Sequence, residues 1–203
     1  MEWNDQFMRI FREAVERFHT NPRLQPATIF EASEVEFLSS IGYRPEEMYA
    51  YVADYATTGE PSPSTSLLIA SARRAFFLTT QRGIHGNAKP VTAAELPSEL
   101  DEFQEIQYLP RIIRKAEAKL FGTLEPSIMF YDAADRNFLK QHGNIHPADF
   151  LNVVWLARGD KQKIVSSVLN TMRQDNAAEN TESAHPTQAP AGAKPVQTEL
   201  NFD

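Results

Sequence analysis

The feature that most constrains this chain is a pattern of residues that occurs twice, roughly 100 residues apart. The clearer copy occupies the segment 109–154, and a diverged copy begins near residue 9. The corresponding pairs are Arg9 and Arg111, Phe18 and Leu120, Pro26 and Pro126, Phe30 and Phe130, Phe37 and Phe138, Leu38 and Leu139, Gly42 and Gly143, Pro45 and Pro147, Met48 and Phe150, and Val52 and Val154. Amphipathic helices can resemble one another by chance, but chance rarely preserves stops, turns and apolar anchors in one order. We therefore predict two related repeats.

The spacing of the apolar residues predicts an all-α fold in which any extended segments are short. Capping residues, N-terminal prolines and C-terminal glycines mark the helix ends. We expect helices that begin near Asn4, Ser33, Pro45, Ser64, Pro110, Ala134, Pro147 and Asp160. Short extended pieces over 27–30 and 127–131, and helical turns over 92–95 and 98–103, complete this prediction.

Shifts in composition divide the chain into four parts. The first repeat spans 1–82, and a linker rich in Gly, Ala and Pro follows over 83–104. The second repeat spans 105–173. From residue 174 to 203 the sequence lacks an apolar period, so we predict a disordered tail that ends in a short motif at 197–202.

Composition excludes several classes of protein. The net charge of −7 disfavours direct binding to nucleic acid, because affinity for phosphates comes from Lys and Arg. The absence of Cys excludes disulfides, thiolate chemistry and Cys-based zinc sites. No apolar run is long enough to cross a bilayer, and the first residues lack the pattern of a signal peptide. We expect a cytoplasmic protein without a membrane partner or a cofactor, and its oligomeric state stays open.

Two blocks of sequence point to a family. The run LPRIIRKAEAKLFGTL and the later run FLKQHGNIHPADFL, together with GEPSPSTSLLIASARRAFFLTTQ, resemble a bacterial family described as a domain of unknown function. The resemblance covers roughly Glu31 to Leu169, and it implies a mostly helical fold without bringing an activity. This chain departs from the family pattern at Arg114 and Glu117, where relatives carry an acid and a base respectively.

Polar residues near the second repeat form a candidate pocket for a small ligand or a reaction. Two carboxylates close to a helix start most often cap that helix, but a buried pair can also perform acid–base chemistry. The candidate pocket residues are Arg111, Tyr131, Asp132, Asp135 and His142. This interpretation predicts a concave site where the five side chains converge.

Two further patterns favour an ordinary structural role. His142 and His146 have metal-like spacing, with Asp149 close by, but Gly143 and Asn144 break the helix between them, so we expect no metal site. A separate cluster of basic residues on one helix is predicted to form a solvated outer face, with an anion or RNA-backbone surface as the alternative. These residues are Arg111, Arg114, Lys115 and Lys119.

The residues 197–202 read QTELNF and resemble the hexapeptide Q-x-x-L-x-F with which bacterial proteins bind the DNA sliding clamp. In an otherwise polar tail, Leu200 and Phe202 supply two apolar anchors, and Gln197 supplies an amide for hydrogen bonds. The alternative is a frayed end with accidental apolar residues, or a strand that folds back on the body. The leading hypothesis is a non-enzymatic interaction module tethered to the clamp. A ligand or enzymatic pocket between the repeats and a homo-oligomeric scaffold are its alternatives.

Overall fold

The described part of the computed structural model covers residues 2–182, and its side chains are described as far as residue 175. It is mostly helical, which confirms the predicted helical class. The helices are α1 (Trp3–Thr20), α2 (Pro26–Ile29), α3 (Ala32–Ser40), α4 (Pro45–Thr58), α5 (Pro63–Thr79), α6 (Leu109–Phe121), α7 (Ala133–Gln141), α8 (Pro147–Ala157) and α9 (Lys161–Glu182). Between α5 and α6 lie a 3-10 turn (Ala93–Glu95) and the strands β1 (Glu102–Phe103) and β2 (Ile106–Gln107).

Proline fixes the start of four of these helices. Pro26, Pro45, Pro63 and Pro147 each occupy the first helical position. The proline ring is preorganised for a helical φ there, and the N–H that it lacks would have no partner within the helix. The predicted start of α8 at Pro147 is confirmed.

Two helix caps differ from the prediction. The cap of α3 is Glu31 rather than Ser33, because the Glu34 carboxylate accepts a hydrogen bond from the Glu31 N–H at 2.9 Å. The same carboxylate lies 2.6 Å from the guanidinium of Arg17 on α1. A tertiary ion pair therefore decides where α3 begins. In α5 the cap is Ser62, two residues before the predicted Ser64.

The predictions of short extended pieces are wrong at both places. Residues 26–29 form the helical turn α2, and residues 127–131 form turns. The expected turn over 92–95 is helical, but the one over 98–103 leads instead into the β1–β2 hairpin. Gln104 and Glu105 join the two strands, and both have positive φ angles, as a two-residue hairpin turn requires.

Helix α5 connects the first part of the core to the second. It packs against α1 on one side and against α6 and α8 on the other. Within the first part, α1 packs on α4, and within the second part α6 packs on α8. Phe76 of α5 contacts the rings of both Phe121 and Trp155, so aromatic packing continues across this joint.

The final helix extends beyond its expected end. We predicted disorder from residue 174, but α9 continues to Glu182. Residues 183–203, with Gln197, Leu200 and Phe202, lie outside the described residues. In the part of the chain that the structure describes, none of the helices has the length and apolar character needed to span a membrane.

Gly143 makes a close approach between the α7–α8 turn and α9. Its φ is +91°, and a Cβ there would lie 2.9 Å from the backbone nitrogen of Met172. We expect Gly143→Ala to lower the free energy of unfolding in a urea titration by about 1 kcal/mol for the left-handed backbone and by a further ~1–3 kcal/mol for the overlap with α9.

Gly59 provides the matched control for this substitution. Its φ is +81°, but nothing lies within 4 Å of the position that a Cβ would take. Gly59→Ala should therefore lower the free energy of unfolding only by the contribution of the left-handed backbone. Equal losses for the two variants would show that the close approach of α9 to Gly143 does not matter.

Candidate functional site

Two lysines of α6 are buried, contrary to the prediction of a solvated basic face. Lys115 and Lys119 are 1% and 2% exposed. They lie one helical turn apart on the side of α6 that faces the interior, where periodicity alone would place apolar residues. Only Arg111 and Arg114 remain at least partly exposed. The basic patch on α6 is thus half of its predicted size.

Lys115 is the centre of a buried network at the start of α7. Its ammonium lies 2.6 Å from the Asp135 carboxylate and 2.7 Å from that of Asp132. Asp135 also accepts hydrogen bonds from the Tyr108 hydroxyl at 2.8 Å and from the Tyr131 N–H at 2.7 Å. Burial and the neighbouring Asp135 carboxylate raise the pKa of Tyr108, which keeps its hydroxyl protonated.

Asp132 has a second role as the N-cap of α7. One carboxylate oxygen accepts hydrogen bonds from the N–H groups of Ala134 and Asp135, both at 3.1 Å. The other oxygen contacts Lys115. The Asp132 and Asp135 carboxylates and the Tyr131 backbone N–H thus lie around Lys115, whose ammonium fills the space between the two acids.

The other two candidate pocket residues lie elsewhere. Arg111 donates a hydrogen bond to the Pro97 carbonyl at 2.6 Å. His142 lies at the opposite end of α7, where its Nδ1 is 2.7 Å from the Phe138 carbonyl oxygen and its ring stacks on the Phe138 ring. The five residues do not line one concave site.

Lys119 forms the second buried network and connects α6 to α4. Its ammonium lies 3.0 Å from the Glu47 carboxylate. It also lies over the rings of Tyr43 and Tyr51, at 4.1 and 4.9 Å from their centroids. These ring faces carry partial negative charge, so they stabilise an ammonium that has lost its water. The Tyr51 hydroxyl donates to the Phe130 carbonyl at 2.9 Å.

The charges around Glu47 determine its protonation. Burial alone would raise the pKa of the Glu47 carboxyl. The positive charge of Lys119, together with those of Arg44 and Arg73, outweighs burial and holds this pKa below its ordinary value. Burial lowers the pKa of the Lys119 ammonium, while Glu47 opposes that shift. Each charge of the pair therefore stabilises the ionised form of the other.

Two half-buried arginines, Arg44 and Arg136, add further contacts between α4 and the second part of the chain. Arg44 donates to the Leu124 carbonyl. Arg136 of α7 lies 2.8 Å from the Asp54 carboxylate of α4. With Lys119 and Tyr51, these contacts fix α4 against α6, α7 and the segment between them.

A concave groove lies on the other side of α6, between α5, α6 and α8. Its volume is about 690 Å³. Phe76, Phe121 and Trp155 supply aromatic rings, and their edge-to-face contacts have centroid distances of 4.9 and 5.5 Å. Three basic side chains also line it, and with the three rings they define what we call the aromatic groove: Lys89, Arg114 and Arg158.

Sequence reasoning missed this groove because its residues come from four separate segments. Trp155 lies at helical spacing from the buried Leu151, which is typical of a core residue, but it is only half-buried, and Phe121 is 50% exposed. One feature of the sequence does indicate the exposure of Phe121. It is the last residue before Gly122, which ends α6, and a large apolar side chain at that position has few core residues to pack against.

One histidine of the predicted pair, His146, has a structural role. The His146 ring nitrogen Nδ1 accepts a hydrogen bond from the Ala148 N–H at 3.2 Å and so caps α8. Within the residues that the structure describes, no group of three or more His, Cys, Asp or Glu side chains is placed to hold a metal ion.

No protein-family model matches the chain, and searches of curated proteins and of solved structures also give no match. The resemblance to a bacterial domain of unknown function therefore stays a prediction.

The lowered pKa of Glu47 predicts a specific response to acid. The unfolded chain takes up a proton at Glu47 near its ordinary pKa of 4.5, whereas the folded chain does so only at lower pH. The stability from this group is thus present above that value and lost as the pH falls below it. We expect Glu47→Gln to flatten the fall in unfolding free energy between about pH 5 and pH 3, measured by urea titration.

The same variant should lower stability at pH 7 by about 3–5 kcal/mol, because it leaves the Lys119 charge buried without a partner. Glu46→Gln is the matched control, since Glu46 is the preceding residue in the first turn of α4 and is only half-buried. A Glu47→Gln protein with the same acid response as Glu46→Gln would contradict this assignment.

Proposed function

We propose that this chain is a non-enzymatic interaction module whose helical body is tethered to the bacterial DNA sliding clamp by its C-terminal peptide. The observation that carries the proposal is the sequence QTELNF at 197–202, which follows a polar stretch without an apolar period. The Gln, Leu and Phe of this peptide occupy the three positions that the clamp-binding hexapeptide requires.

The affinity of such a peptide follows from its anchors. Burying Leu200 and Phe202 contributes about 1.5–3 kcal/mol each. Hydrogen bonds from the Gln197 amide add about 1 kcal/mol, for a total of about 4–7 kcal/mol. This corresponds to a Kd between about 1 mM and about 10 μM for a single peptide. A ring-shaped clamp with several equivalent pockets can strengthen binding of a multivalent assembly through avidity.

The path of α9 supports a tether. Its inward residues Ile164, Val165 and Val168 are buried, whereas Arg173, Gln174 and Asp175 are exposed. The helix therefore leaves the core before its last described turn. On the prediction of a disordered tail, the segment between Glu182 and Gln197 would span roughly 20 Å, which suffices to hold the body away from a bound peptide.

The finer architecture of two related repeats is also part of the proposal. On this proposal α1, α3, α4 and α5 correspond, in order, to α6, α7, α8 and α9, and two observations support it. A glycine with positive φ follows α3 in the first series and α7 in the second series: Gly42 and Gly143. A Cβ on Gly42 would overlap α5, and a Cβ on Gly143 would overlap α9. After each glycine the chain also bonds back to the preceding helix, since the Tyr43 N–H donates to the Leu38 carbonyl and the Ile145 N–H donates to the Leu139 carbonyl, with one more residue in the second turn.

An experimental structure would test the duplication by superposition of the two series of helices. We expect Gly42 to fall on Gly143 and Leu38 on Leu139. Non-equivalent positions for these pairs would remove the argument for repeats.

The clamp hypothesis predicts saturable binding of the full chain to a bacterial sliding clamp. In surface plasmon resonance, the double variant Leu200→Ala/Phe202→Ala should weaken binding more than about tenfold, because it removes both apolar anchors. Leu156→Ala is the matched control, since Leu156 is a leucine of α8 that is 75% exposed. An unchanged affinity in the double variant, or no binding of the wild-type chain at about 1 mM clamp, would contradict the proposal.

A further inference from the structure

We propose that the aromatic groove binds a small planar aromatic ring that carries a phosphate group, the chemistry of a nucleotide. This inference concerns the folded body and does not depend on the clamp hypothesis. It follows from three properties of the groove: its size, its exposed rings and its excess of positive charge.

The size of the groove suits a small molecule. Its volume of about 690 Å³ lies inside the range of roughly 300–1,000 Å³ that is typical of ligand pockets. Three helices form its walls, and α5 and α6 are held together by core packing. The site is therefore formed before a ligand arrives.

The rings provide a surface for stacking. Phe76 is buried and supports the other two rings from below, at centroid distances of 4.9 Å to Phe121 and 5.5 Å to Trp155. Phe121 is 50% exposed, although the interior of a protein usually takes up such a side chain. Stacking of a flat ring on these residues would remove this apolar surface from water, and aromatic stacking on a base contributes favourably regardless of base identity.

The charge of the groove favours an anion. Lys89, Arg114 and Arg158 line it together with a single acid, Glu117, in a chain whose net charge is −7, and Lys89 lies 3.3 Å from Glu95 outside the groove. Arg114 lies 3.7 Å from Glu117, which leaves it weakly paired. Arg158 is exposed and has no acidic partner within salt-bridge distance among the described residues. A guanidinium presents paired N–H donors in the geometry that a phosphate accepts, so Arg158 is the residue that we assign to the phosphate.

The position of Arg158 is fixed by the backbone. It ends α8 in the left-handed conformation, with φ of +50°, and its N–H donates to the Trp155 carbonyl. The guanidinium of Arg158 therefore follows the indole ring of Trp155 by three residues, at the same end of α8. A ring stacked against Trp155 would place its phosphate within reach of Arg158.

Intrinsic fluorescence gives a direct test with AMP as the probe. The chain has two tryptophans, so Trp155 is the sole indole in a Trp3→Phe protein. We expect AMP to change this fluorescence saturably with a Kd below about 1 mM. Adenosine and inorganic phosphate should each bind at least about tenfold more weakly, because each supplies only one half of the ligand. Calorimetry on the wild-type chain checks the same affinities without the Trp3 substitution.

Arg158→Gln should weaken AMP binding about tenfold and leave adenosine binding unchanged, since the lost charge-assisted hydrogen bond involves only the phosphate. Arg12→Gln is the matched control, because Arg12 is an exposed arginine of α1 that does not line the groove. The absence of AMP binding at about 1 mM in both assays would overturn the proposal, as would equal affinities in the two arginine variants. Binding of a peptide of residues 195–203 in place of AMP would overturn it in favour of an acidic peptide ligand.

Discussion

The burial of the Lys119 ammonium is the constraint on which the rest of this structure depends. Removing an ammonium from water costs several kcal/mol, and a buried site must recover that cost through close partners. Glu47 supplies the opposite charge at 3.0 Å, and the rings of Tyr43 and Tyr51 supply their faces. Since these partners come from the turn before α4 and from α4 itself, the buried charge of Lys119 ties α4 to α6, and the contacts of Tyr51, Arg44 and Arg136 reinforce that tie.

The two sides of α6 therefore lie in different environments. Its inward side carries Lys115 and Lys119, each held by carboxylates from other helices. Its opposite side contributes Arg114, Glu117 and Phe121 to the aromatic groove. The ionic ties that fix α6 against α4 and α7 thus also hold one wall of the groove. A ligand in the groove would meet a surface that the interior has already positioned, which lowers the entropy lost on binding.

The local parts of this fold could be predicted from the sequence, because their causes are local. Pro147 begins α8, Asp160 caps α9, and Gly122 and Gly143 terminate helices. The burial of Lys119 could not be predicted in this way, since its partner Glu47 lies 72 residues away and periodicity assigns lysine to the surface. The start of α3 was missed for a related reason, because Arg17 of α1 selects Glu34 as the capping partner. The aromatic groove escaped prediction because it exists only after α5, α6 and α8 have packed.

A double-mutant cycle on Glu47 and Lys119 tests this account most directly. Each of the single variants Glu47→Leu and Lys119→Met should lower the free energy of unfolding by about 3–5 kcal/mol, because each leaves one buried charge without its closest partner. The double variant Glu47→Leu/Lys119→Met should recover most of this loss, since it buries neither charge. The account therefore predicts a coupling energy of at least about 2 kcal/mol in urea titrations at pH 7. Additive losses would show that the two residues do not form the tie between α4 and α6.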